Sequence, residues 1–246
     1  MMLQRKPELL GQTVVVIGGS AGIGLETARR ARVEGADVIL AARDPGRLEV
    51  AASEVGAIRT AAFDANEPAS LEGFFKDVPS PLDHVMVTGP GPRYSPLMEM
   101  SFEQARLAIS EHILLAFWVA RCAAGKVRPG GTLLFMGGTG ARRPARGLAL
   151  VSAATAAMPA FVAGLALDLA PVRVNLIAAG FVDTPLSAAI LGDNLDARRN
   201  QLRATLPVGR VVGPADVAAL AVHLMINETL TGATYDVDGG QQLVAC

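Results

Sequence analysis

The chain has 246 residues, 51% of them apolar and only 18% charged, so it can build one α/β domain around a sizeable core, and wholesale disorder is excluded. A formal net charge of −1 excludes a general electrostatic pull toward nucleic acid or an anionic membrane surface. Cys122 and Cys246 form no CxxC pair, and His84, His112 and His223 stand at no metal-ligand spacing. Neither a disulfide framework nor a metal site is therefore expected, and the expected compartment is the reducing cytoplasm.

Met1 to Leu10 is short and polar, with no apolar run of signal-peptide length. A β-branched run then predicts a strand over Thr13–Ile17, followed by a helix over Gly22–Glu34 and a second strand over Asp37–Ala41. Helices over Gly46–Glu54 and Pro68–Lys76 flank a third strand, Ile58–Phe63, and His84–Val87 reads as the fourth. Phe102–Gly125 reads as one long helix, opened by a Ser101–Gln104 capping box. A fifth strand, Thr132–Phe135, precedes a helix over Leu150–Leu169 and a sixth strand, Arg173–Ile177. Gly147 to Leu167 runs 21 residues without a charge, which is the length of a membrane span. It is rich in Ala, Gly, Ser and Thr, contains Pro159 and meets Asp168 at its end, so a helix buried between protein layers or subunits is expected, and no membrane. After Gly180 the regularity loosens, and the polar, Ala-rich stretch of about 184–205 is expected to be a mobile lid. A helix over Pro214–Ile226 and a strand over Thr234–Val237 close the chain. Strand–helix alternation with nearly continuous apolar strands implies a parallel sheet covered on both faces.

The first strand runs into Ile17-Gly18-Gly19-Ser20-Ala21-Gly22-Ile23-Gly24. Glycine is required where such a turn reverses and where backbone approaches a pyrophosphate, and the helix that follows aims its free N–H groups at the phosphates. The alternative, a bare tight turn, is the weaker reading because the motif follows a strand, opens a helix and begins a βαβ unit. At the end of the second strand stand Ala42 and Arg43. An acid there would bind a ribose 2′-hydroxyl, whereas arginine suits a 2′-phosphate, so NADP(H) is expected ahead of NAD(H); the alternative is a solvated loop charge.

On these residues the sequence resembles the short-chain dehydrogenase/reductase family from about residue 11 to 243. Gly18, Gly22 and Gly24 match its glycine motif, with Ile17 where threonine is usual. Asp64, with Ala65 after it, matches the acid that contacts adenine, and Gly89 falls in the segment after the fourth strand. Ala179 to Thr184 resembles the segment whose threonine meets the nicotinamide carboxamide. Pro207–Gly213 and Asp238-Gly239-Gly240 match the C-terminal signatures. The resemblance implies a single Rossmann-type domain over 1–246, a doubly wound parallel sheet with helices on both faces, holding nucleotide through Gly18, Ser20, Gly22, Ile23, Gly24, Arg43, Asp64, Ala65, Gly89 and Thr184. It also implies helix pairing across a two-fold axis, hence a homodimer or homotetramer.

The family's catalytic tetrad is missing. Thr88-Gly89-Pro90-Gly91 replaces its Asn-Ala-Gly segment, His112 aligns with the asparagine, Gly138 with the serine, Val151 with the tyrosine and Thr155 with the lysine. Carbonyl reduction needs a proton donor beside the oxygen that gains charge as hydride arrives, and valine and threonine cannot replace a phenol activated by an ammonium. Candidate substitutes are His112, a residue type suited to acid–base work, Tyr94 on the loop after the fourth strand, and Thr139 beside Gly138. The alternatives are a helix histidine bonded to backbone, a packing aromatic, and a threonine facing away from the cofactor. From His112 to Leu167 there is no acid, while Arg142, Arg143 and Arg146 follow the fifth strand, which suits an anionic substrate or an acidic carrier, or else a solvated loop. Three readings remain: an NADP(H)-dependent oxidoreductase acting on a small molecule such as an imine or enone, a nucleotide-binding pseudoenzyme or interaction protein, and, behind these, a lyase or isomerase that uses the nucleotide structurally.

Overall fold

The computed structural model describes residues 6–89, 91–143 and 145–244; Pro90, Cys246 and residues 1–5 of the N-terminal stretch lie outside the described residues. Seven strands lie in one sheet: β1 (Thr13–Ile17), β2 (Asp37–Ala42), β3 (Arg59–Ala62), β4 (Leu82–Val87), β5 (Val127–Gly138), β6 (Arg173–Ala179) and β7 (Thr234–Val237). Their order is β3-β2-β1-β4-β5-β6-β7 and every pairing is parallel. Alternate residues on each strand face opposite ways, so the apolar runs feed two cores. On one face Val15, Val85, Leu133 and Phe135 pack against α3 (Pro68–Asp77), α5 (Leu115–Ala123) and α6 (Ala149–Asp168). On the other, Val14, Val16, Met86 and Leu134 pack against α1 (Gly22–Val33), α2 (Pro45–Val55) and α9 (Pro214–Ile226). The winding reverses between β1 and β4, which opens a crevice beyond the carboxyl ends of the strands.

Three departures from the sequence reading affect that crevice. The expected helix over Phe102–Gly125 is three segments: α4 (Phe102–Ile109), a π turn over Ser110–Leu114, and α5. One extra residue per turn is invisible to a 3.6-residue pattern, and it coincides with Glu111 turning inward to Arg93. Strand β5 is much longer than Thr132–Phe135, because Pro129, Gly130 and Gly131 form an irregularity within the strand instead of ending it. The stretch read as an irregular lid is helical: α7 (Pro185–Leu191) and α8 (Leu195–Thr205). Its polarity hid the helix. In α8 only Leu202 is buried, and Arg199 supplies the anchor by a bidentate contact to Asp183 at 2.8 and 2.9 Å.

Helix α6 continues through Pro159, and only 28% of its most apolar window is buried within the chain. It is long and apolar enough to cross a membrane by length and composition. Its buried Val151, Thr155 and Met158 form one wall of the crevice.

Candidate functional site

A cleft of about 1650 Å³ lies along the carboxyl ends of the strands, and every residue singled out above for nucleotide binding or catalysis lines it. At its nucleotide end the β1–α1 turn is built by close contact. Gly18 sits at φ +88°, where a Cβ would come within 2.1 Å of Thr88 Oγ1. Thr88 in turn donates from Oγ1 to the carbonyls of Ile17 (3.2 Å) and Gly18 (3.1 Å), locking β4 onto the turn. A Cβ on Gly24 would meet the Gly18 carbonyl oxygen at 2.2 Å, so the helix can approach the turn only as glycine. The N-terminus of α1 has no side-chain cap and no acid in its first turn. Uncapped N–H groups on a helix that faces a cleft fit the diphosphate of a dinucleotide. Thr184, N-cap of α7, stands across from Gly22, whose Cβ would lie 3.5 Å from it. Arg43 is exposed at the cleft rim. Asp64 Oδ1 accepts from the Asn66 backbone (2.9 Å) and side chain (3.1 Å), leaving Oδ2 for a ligand.

The tetrad positions converge on the middle of the cleft. Val151 and Thr155 are buried on one face of α6, beside Gly138 and Gly140 at the end of β5. Thr155 Oγ1 donates to the carbonyls of Val151 (2.8 Å) and Ser152 (3.1 Å), so its hydroxyl is occupied by its own helix. No phenol or ammonium stands there. His112 sits in the π turn and half-buried, with Nδ1 at 3.1 Å from the Ala108 carbonyl. That contact commits the Nδ1 proton to backbone and leaves Nε2 as the only nitrogen able to exchange a proton with a ligand. The histidine thus satisfies both readings: bonded to backbone and facing the cleft. Tyr94 lies at the mouth, its pKa raised by partial burial against the opposing charge of Arg198. Thr139 is buried and lines the cleft.

The structure redistributes the arginines. Arg142 is paired with Asp236 and donates to Gln242 Oε1 at 2.6 Å, and Arg143 donates to the Gln241 carbonyl. Desolvation works against the charge on Asp236, yet the Arg142 contact holds its pKa below the usual carboxylate range. These two arginines tie the loop after β5 to the C-terminal segment, and Arg146 does not line the cleft. Sequence reasoning missed Glu111, buried in the cleft wall and gripped by Arg93 at 2.6 and 2.7 Å, and it missed Arg198 on α8. Neither belongs to a motif, and only the fold brings them to the site.

A family model described as enoyl-(acyl carrier protein) reductase matches residues 18–242. The short-chain dehydrogenase/reductase ATR9 of Stachybotrys chlorohalonatus is 31% identical over 257 residues, covering 95% of this chain and 98% of that protein. Among solved structures, the MalC reductase/Diels-Alderase of Malbranchea aurantiaca superposes with a TM-score of 0.89 at 25% identity, covering 97% of this chain and 99% of that one. A small-chain dehydrogenase in complex with NADPH superposes with a TM-score of 0.81 at 27% identity, covering 95% and 99%. A matching family model, similarity along nearly the whole chain, and a glycine turn opening an uncapped helix lead to one conclusion: the chain belongs to the short-chain dehydrogenase/reductase family of oxidoreductases.

Proposed function

We propose that the chain is an NADP(H)-dependent reductase of an activated double bond, a conjugated alkene or an already cationic imine, whose proton comes from water or His112. The observation that carries this is the pairing of a complete nucleotide cradle with a tetrad site in which Val151 is buried and the Thr155 hydroxyl is spent on its own helix. The turn from Gly18 to Gly24 and the N-terminus of α1 would hold the diphosphate, Arg43 the 2′-phosphate, Asp64 the adenine end and Thr184 the carboxamide. NADPH in one structural neighbour supports the choice of nucleotide, and a neighbour that is both a reductase and a Diels-Alderase supports a substrate beyond simple ketones.

The bound dinucleotide supplies a hydride. What this chain must supply is orientation, exclusion of water and a route for one proton. The valine wall and the neighbouring Met158 keep one side of the cleft apolar. His112 Nε2 is the nitrogen able to carry a proton from solvent to the substrate, while Nδ1 stays bonded to Ala108.

The test is NADPH consumption against a panel of ketones, imines and enones with wild type, His112→Ala and Tyr94→Phe. General acid catalysis is worth roughly 10²–10⁴-fold in rate, so plain ketones should react slower than the best enone or imine by about that factor. His112→Ala should lower turnover while leaving NADPH affinity unchanged. Brisk reduction of plain ketones by all three proteins overturns the reading. Absence of NADPH oxidation with the whole panel favours the alternative, a nucleotide-binding protein without turnover.

A further inference from the structure

Five arginines line the cleft: Arg43, Arg47, Arg142, Arg143 and Arg198. Three of them have protein partners that account for them. Arg47 is paired with Asp44 at 2.9 Å, Arg142 with Asp236, and Arg143 donates to the Gln241 carbonyl. Among the described residues no carboxylate lies within ion-pair distance of Arg43 or Arg198. Arg43 sits at the nucleotide end, where the 2′-phosphate accounts for it. Arg198 sits on α8, in the part of the cleft that Tyr94 borders, and donates from Nη1 to the neutral Gln201 Oε1 at 2.7 Å.

Its placement is also held. The adjacent Arg199 reaches Asp183 with two bonds and Asp196 with a third at 2.9 Å. Leu202, one turn further on, is 2% exposed. Together these pin α8 by one ion-pair cluster and one buried side chain, and Arg198 is left half-buried at the cleft. A half-buried guanidinium without a counter-charge carries an unmet electrostatic demand, and its planar fork matches an oxyanion.

Resting on the reductase reading above, we propose that Arg198 is the substrate-recognition residue of this cleft, and that the molecule reduced carries an oxyanion which Arg198 binds. The oxyanion is a carboxylate or a phosphate. This moves anion recognition from the Arg142–Arg146 segment, where the sequence drew attention, to α8. Within the reductase reading, an imine substrate would carry the oxyanion as well as its cationic nitrogen, since Glu111 of the cleft wall is already paired with Arg93. An anionic enone or a zwitterionic imine suits the site better.

The test uses NADP⁺-loaded protein and three probes of nearly equal shape, trans-cinnamate, trans-styrylphosphonate and the neutral trans-cinnamamide, titrated by calorimetry. A charge-assisted contact should favour an anion over the amide by about ten- to hundredfold. Arg198→Gln should bring the probes to within about threefold of one another, Arg198→Lys should keep part of the preference, and NADPH affinity should stay at the wild-type value in both. Tighter binding of cinnamate marks a carboxylate substrate, and tighter binding of the phosphonate a phosphate. Equal binding of amide and anions by wild type, failure of both anions to bind, or an anion preference that survives Arg198→Gln overturns the proposal. The reductase reading fails separately, through the NADPH-consumption panel. Neutral enones reduced as fast as anionic ones by wild type would reject the oxyanion site while leaving the reductase in place.

Discussion

Thr155 is buried in the cleft wall, and its hydroxyl donates to the carbonyls of Val151 and Ser152. A threonine whose proton is committed in this way has no proton to give a ligand, and its hydroxyl can only accept. Arg43 is the converse case, a side chain without a carboxylate partner at the nucleotide end. Arg43→Ala should erase most of a ten- to hundredfold preference for NADPH over NADH, taking about 1.5–3 kcal/mol for a charge-assisted phosphate contact. Fluorescence titration showing equal affinities in wild type contradicts the assignment. His84, outside the cleft lining, contributes to behaviour in acid. It is 1% exposed, its Nε2 lies 2.7 Å from Gln12 Oε1, and its pKa is lowered to about 3. Burial is the main cause, the Asp83 charge opposes it, and Arg173 and Arg128 add to it. The folded protein therefore keeps His84 neutral while the unfolded chain protonates it near pH 6.5. This contribution is fully present above that pH and is lost as the pH falls from 6.5 toward 3, at up to about 1.4 kcal/mol per unit. In urea unfolding, the stability advantage of wild type over His84→Val should shrink by about 2–3 kcal/mol between pH 7 and pH 4.5. A difference that does not change with pH would show that His84 protonates freely in the folded state.

The β1–α1 unit is legible because each of its requirements is local. The turn needs φ > 0 at Gly18, and the helix needs no Cβ at Gly24, where one would lie 2.2 Å from a carbonyl oxygen. Gly24→Ala forces the helix off the turn. A cost of roughly 1–3 kcal/mol follows, and at roughly 2–4 °C per kcal/mol for a chain of this size the thermal midpoint should drop measurably. NADPH affinity should fall with it, because the diphosphate site is the gap being widened; an unchanged midpoint and affinity would refute the contact. Helices α4 and α5 behave otherwise. Their apolar periodicity reads as one helix, while the inserted π turn carries Glu111, buried and bonded to the exposed Arg93, 18 residues away in the chain. Helices α7 and α8 were read as irregular because only one side chain of α8 is buried, leaving no apolar stripe to detect.

At the scale of the whole molecule, the apolar surface left by folding is large. Phe102 is 87% exposed, Leu167 82%, and α6 buries little of its length. Such a surface on a chain without other cover calls for self-association. We expect a dimer or tetramer by light scattering at micromolar concentration, with Phe117→Glu shifting it toward monomer; a monomeric wild type overturns this. What the sequence by itself determined was the parallel α/β sheet, the glycine turn that opens α1 and membership of the family. Strand periodicity, glycine spacing and residue identity are properties of short segments, and they survive without knowledge of what lies across the fold. Which arginines are engaged and which stand ready was decided only by the tertiary structure. Arg142 meets Asp236, 94 residues away, and Arg199 meets Asp183 across a helix boundary, while Arg198 beside it meets no carboxylate among the described residues. Charge pairing depends on distances of a few ångströms between segments that the chain order keeps apart, so a row of arginines in sequence cannot reveal which of them a substrate will find.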